Sequence, residues 1–73
     1  MLLTKAEEGK TYIVKSVKGD SKVEKFLFSL GCFEGEEITL ISRISDNFII
    51  NIKDSRYAID EKMAQSIITE NEH

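Results

Sequence analysis

The sequence has one cysteine, one histidine and no tryptophan. A single cysteine, Cys32, excludes an internal disulfide. Cys32 with His73 falls short of the four ligands that a structural zinc site ordinarily takes. His73 is the last residue, where order is least expected, so a Cys32–His73 nucleophile pair is not expected and the chain reads as a non-enzyme. The Gly31–Gly35 segment lacks the lysine and the serine or threonine of a phosphate-cradling loop. No apolar run approaches the ~18 residues of a membrane span. Met1-Leu2-Leu3 runs straight into Thr4-Lys5-Ala6-Glu7-Glu8, without a signal-peptide pattern. A lone cysteine suits a reducing compartment, so a cytoplasmic protein with no direct membrane insertion is expected. Positive charge is also short, with ten Lys and Arg against thirteen Asp and Glu for a net charge of −3. Nucleic-acid binders carry a basic stripe. Here Lys10, Lys15, Lys18, Lys22 and Lys25 are spread through the first third with Asp20 and Glu24 among them, and no nucleic-acid partner is expected. The Ser21–Leu30 stretch is too short and too mixed to lie on a membrane surface.

What is present is enough for one small domain of 73 residues. A chain of this size buries only about 60% of its unfolded surface, so its core has little to spare. The sequence is organised around Ser21 to Glu36. Ser21 and Glu24 stand at capping-box spacing and predict a helix start. Val23, Phe26, Leu27 and Leu30 recur at i, i+3, i+4 and i+7 and predict a single apolar face. Gly31 suits the left-handed residue that ends a helix, with Cys32 packing back on Leu27 in a Schellman motif. Gly35 suits the third position of a type II turn, where φ is positive. So short a helix is not stable alone, and its apolar face has to lie on the rest of the chain.

The rest reads as strands. Thr4 and Glu7 form a second possible capping box ahead of Gly9, which predicts one helical turn with Leu3 and Ala6 inward. Thr11 to Val17 is β-branched and reads as a strand. Its alternation is imperfect, with Ile13 and Val17 on one face and Tyr12 and Val14 on the other. A bulge explains this, and so does a strand buried on both sides. Glu37 to Ile44 follows, with Ile38 and Leu40 on one face. After a turn at Ser45-Asp46-Asn47, Phe48, Ile50 and Ile52 give the clearest period of two. Asp54-Ser55 predicts a second turn, and Arg56 to Ile59 a short strand with Tyr57 and Ile59 on one face. Asp60 caps a single turn, Glu61 to Ala64, and Ile67 to Thr69 closes the fold. Five short strands with one inserted helix predict a mainly β chain that curls into a small SH3-like barrel.

These pieces, in their order and spacing, resemble the FeoA family of small cytoplasmic proteins of bacterial ferrous iron transport. The likeness runs from Leu3 to Thr69. It rests on Leu3 and Gly9, on Val14 and Val17 before Gly19, on Phe28-Ser29-Leu30-Gly31-Cys32-Phe33-Glu34-Gly35 beside the family's Leu-Gly-x-x-x-Gly signature, on Tyr57-Ala58-Ile59, and on Ala64 with Ile67. Two positions depart from the family. Glu34 stands where proline is usual, a loss of ~0.4–1 kcal/mol through unfolded-state entropy. Asp60 stands where a basic residue is frequent. The resemblance implies an SH3-like barrel and a partner, a large FeoB-type membrane iron transporter with a cytoplasmic G-protein domain. The same barrel is similar to the C-terminal domain of iron-dependent repressors, which gives the alternative reading of a regulatory module of that kind.

Glu34, Glu36 and Glu37 crowd one turn, and carboxylates do take divalent metals. Charged turns are ordinarily just solvated, and Glu36 and Glu37 face opposite ways if a strand begins there. No metal site and no cofactor is expected. Cys32 reads as a small buried apolar residue rather than a reactive thiol. Phe28 falls far from the helix stripe. It is core if the helix is wedged between two layers, and an exposed anchor for a partner if it is not. Phe33 has the same two readings, and the two together would form one apolar patch of the sort that marks interaction surfaces. Lys25 would supply a polar rim contact beside them, and the Arg56–Tyr57 edge is the next candidate. A groove for proline peptides is lined by aromatics, and the lack of tryptophan argues against one. The leading expectation is a non-enzymatic accessory protein that docks through Lys25, Phe28 and Phe33 on its transporter, and a homo-oligomer is compatible with it.

Overall fold

Five antiparallel strands carry the molecule, in the sheet order β4-β3-β2-β1-β5. The structure, a computed structural model, describes residues 1–71. The strands are β1 (Thr11–Val17), β2 (Glu37–Ile44), β3 (Asn47–Ile52), β4 (Ser55–Asp60) and β5 (Ile67–Asn71). Helix α1 (Ser21–Ser29) lies between β1 and β2, and the short α2 (Glu61–Gln65) between β4 and β5. His73, and with it the pairing with Cys32 considered above, lies outside the described residues.

The period-two segments behave as their side chains require. Ile38 and Leu40 of β2 and Phe48, Ile50 and Ile52 of β3 are buried on one face of the sheet, and Ile59 of β4 joins them. The irregular β1 is explained by a bulge. Its pairing with β5 shifts register between Val14 and Ser16, leaving Lys15 as the extra residue. Tyr12 and Val14 are buried, while Ile13 and Val17 are half-buried. A second shift falls between Leu40 and Ser42 in the pairing of β2 with β3. Bulges increase local twist and bend a strand, and these two help curl a sheet of only five strands around its core.

Of the two chain-end turns, the first lacks its expected cap and the second keeps it. The first is a 3-10 turn, Leu3–Lys5, with no side-chain cap, so Thr4 and Glu7 do not form a capping box. Leu3 and Ala6 are buried as expected. The segment is held from outside by Arg43 of β2. Its Nη2 donates to the carbonyls of Thr4 at 2.8 Å and Ala6 at 2.6 Å, and its guanidinium lies over the Phe48 ring. At the other end Asp60 does cap α2, accepting from the Met63 N–H at 2.8 Å. The turn between β3 and β4 is Lys53-Asp54 rather than Asp54-Ser55. Both residues have positive φ, 51° and 66°, the signature of a type I′ hairpin turn.

Candidate docking surface

The candidate surface is built on α1 and the loop that leaves it. The helix starts one residue earlier than the capping box suggested. Asp20, not Ser21, is the N-cap, and its Oδ1 accepts from the Val23 N–H at 2.9 Å. Val23 and Leu27 are buried and Leu30 packs partly against the core. Phe26 does not join them, being 42% exposed. The buried line runs through i, i+4 and i+7, and Phe26 sits roughly 70° round the helix from it at 3.6 residues per turn. A nine-residue helix laid down along that narrow line leaves its flank in water.

The helix ends as the glycine predicted. Gly31 has φ of +95°. Its N–H donates to the Phe28 carbonyl at 3.0 Å, and the Cys32 N–H donates to the Leu27 carbonyl at 3.1 Å. These are the two bonds of a Schellman motif. Cys32 is fully buried, and burial pushes its thiol up to about 11. It is therefore a protonated core residue at neutral pH. The loop then makes the expected tight turn. The Glu36 N–H donates to the Phe33 carbonyl at 3.0 Å, with Gly35 at φ +90° in the third position. The Gly35 N–H donates to the Val14 carbonyl at 2.8 Å and the Val14 N–H to the Glu36 carbonyl at 2.9 Å, so β1 fixes the far end of the loop.

This route brings Phe28 and Phe33 together. Their rings stack with centroids 5.5 Å apart and planes inclined by 15°. They are 40% and 46% exposed, so neither is core. Lys25 is exposed on the same helix, one turn before Phe28. Arg56 is exposed and Tyr57 half-buried on the outermost strand β4, paired with Asn51 and Ile50. Among the described residues, no ring contact, ion pair or hydrogen bond joins either of them to the phenylalanines. The residue that does reach the pair is Lys53, which the sequence did not single out. Its ammonium lies 5.9 Å from the Phe33 centroid and 3.4 Å from Glu36 Oε1. Only the type I′ turn places it there, and a Lys-Asp pair is not the glycine-bearing pair by which such turns are read. Among the described residues, no group of three or more His, Cys, Asp or Glu is arranged to hold a metal ion.

The family model for the FeoA domain matches residues 1–71. The chain belongs to the FeoA family. Solved FeoA structures have the same fold. One, named as an iron uptake regulatory protein, has a TM-score of 0.87 at 23% identity over 96% of this chain and 93% of its own. Another, from Stenotrophomonas maltophilia, is described as a prokaryotic SH3 domain protein complexed with zinc, with a TM-score of 0.86 at 18% identity over 96% and 89%. The FeoA fold here is thus the SH3-like barrel that the five strands predicted. It recurs in a manganese-dependent transcriptional repressor, at a TM-score of 0.90 and 16% identity over 97% of this chain and 41% of the repressor. A comparison with curated proteins returns no match.

Proposed function

We propose that this FeoA protein is a non-enzymatic accessory protein of ferrous iron uptake. It works in the cytoplasm and docks on the cytoplasmic G-protein domain of a large FeoB-type membrane transporter. Family membership supports the iron, since FeoA relatives are named for iron uptake and iron(II) transport. The stacked, exposed Phe28–Phe33 pair supports the docking. Aromatic side chains dominate binding hot spots because they bury much area with few rotamers to freeze. Two of them side by side in water form a patch that a partner gains by covering. Lys25 stands at the rim of that patch.

The test is the double substitution Phe28→Ser with Phe33→Ser. Both rings are far from fully buried, so the fold should lose well under the ~3–5 kcal/mol that deleting a core phenylalanine removes. Each kcal/mol lost lowers the thermal midpoint of a domain this small by about 4–8 °C, so the variant should melt lower yet stay folded at room temperature, and binding to the transporter's cytoplasmic domain should fall at least tenfold, a loss of about 1.4 kcal/mol or more. A folded double mutant that binds as wild type does would overturn the assignment and turn attention to Arg56 and Tyr57.

A further inference from the structure

We infer that Lys53 is the positioning residue of the docking surface: from the β3–β4 turn it holds the Phe33 ring, and through it the Phe28 ring, in the stacked arrangement that a partner meets. The inference rests on the docking reading above for its purpose, and on geometry alone for the positioning.

Two contacts and one close approach converge on this one side chain. Its stem crosses the helix terminus, where a Cβ built on Gly31 would lie 3.5 Å from Lys53 Cδ and 3.7 Å from Cε. Its ammonium sits over the Phe33 ring at 5.9 Å. The same ammonium bridges to Glu36 Oε1 at 3.4 Å. Gly31, Phe33 and Glu36 are the beginning, middle and end of the loop that carries Phe33. A lysine that contacts Phe33 and Glu36 and passes beside Gly31 ties this loop to the β3–β4 turn. Phe33 in turn stacks on Phe28. The aromatic pair is thus braced from the loop side as well as from the helix.

The backbone of Lys53 carries the second line of reasoning. A non-glycine residue at φ +51° is in the left-handed region. The first central position of a type I′ turn favours asparagine, aspartate or glycine, which enter that region at little cost. Lysine has no such dispensation, and strain of this kind persists where something else requires the side chain. The ring and the glutamate supply the requirement. Glu36 and Lys53 are both partly exposed, so the ion pair by itself contributes little to stability. What the arrangement supplies is order in an exposed surface, which lowers the entropy lost on docking.

Lys53→Asn separates the two roles. Asparagine suits the turn, so the variant should melt at the wild-type temperature or above it. It cannot reach the ring, so the Phe33 and Phe28 ring resonances of the free protein should move toward averaged values. In wild type the Lys53 ε-methylene protons should be shifted upfield by the ring current of Phe33. Affinity for the transporter's cytoplasmic domain should fall about two- to fivefold in Lys53→Asn, the range expected for an exposed cation–ring contact, and recover in Lys53→Arg. Unshifted Lys53 methylene protons, or ring resonances that are the same in both proteins, would overturn the positioning role, whatever binds. Binding by Lys53→Asn equal to wild type would overturn its purpose. If Phe28→Ser with Phe33→Ser also bound normally, the docking reading would fall, and the ring resonances would still decide whether Lys53 positions the pair.

Discussion

Gly31 shows how much one residue can fix. The nearest atom to a Cβ placed there is Ile52 Cγ2 at 3.5 Å, which is ordinary contact. The obstacle to a side chain is therefore the backbone, at φ +95°, and not a clash. Gly31→Val should lower stability by about 1–3 kcal/mol, and Gly31→Asn by clearly less, because asparagine tolerates the left-handed region. Urea midpoints of the two variants measure the difference; equal losses would mean that packing rather than φ sets the requirement. Cys32, the next residue, gives a pH dependence. Its thiol is raised from 9.0 to about 11 by burial. The folded state holds the proton more tightly than the unfolded chain, so this contribution is complete below pH 9 and is lost as pH rises toward 11. Stability measured by denaturant from pH 8 to 11 should decline, and Cys32→Ala should flatten part of that slope. The sequence made Gly31, Gly35 and Cys32 legible because positive φ and a cap leave a signature in residue type. Phe26 was misplaced because spacing alone does not say how wide a face the helix buries.

At the scale of elements, the strands were readable wherever one side of the sheet is buried. Ile38 with Leu40, and Phe48 with Ile50 and Ile52, alternate because the core accepts every second residue. The helix start was off by one. Asp20 and Ser21 are both good N-caps and rank nearly equal. The choice between them belongs to tertiary structure, since the chain leaving β1 is pinned where the Lys18 N–H donates to the Ser66 carbonyl. Asp20→Ala should therefore cost about 1 kcal/mol and Ser21→Ala much less. A thermal melt of each variant checks this, and the reverse order would restore Ser21 as the cap. The Lys53-Asp54 turn was not legible at all, because its residues are not those its geometry prefers. Since Lys53 braces Phe33, the contact that completes the candidate surface was hidden for the same reason.

For the whole molecule, the strand count and the barrel were legible, and the Phe28–Phe33 pair was legible only as a choice between core and surface. Burial is a global outcome, and no local pattern decides it for a lone aromatic. The topology has its own kinetic signature. The sheet joins β1 to β5, and Met1 to Thr69 across 68 residues, with the Met1 ammonium and the Thr69 N–H each hydrogen-bonded to the other's carbonyl at 2.6 Å. Chains dominated by such distant pairings refold in about milliseconds to seconds. Stopped-flow refolding should fall in that range, and a microsecond phase carrying the full amplitude would contradict a rate set by these distant pairings.

Closure of the sheet by β5 has a consequence during synthesis. Because β1 flanks only β2 and β5, a nascent chain that has emerged as far as α2 presents one side of β1 with no strand to pair. An unpaired edge is a template for another chain. Lys15 puts an exposed charge in the middle of that edge, and a charged side chain on an open edge disfavours pairing with a neighbouring chain on a crowded polysome.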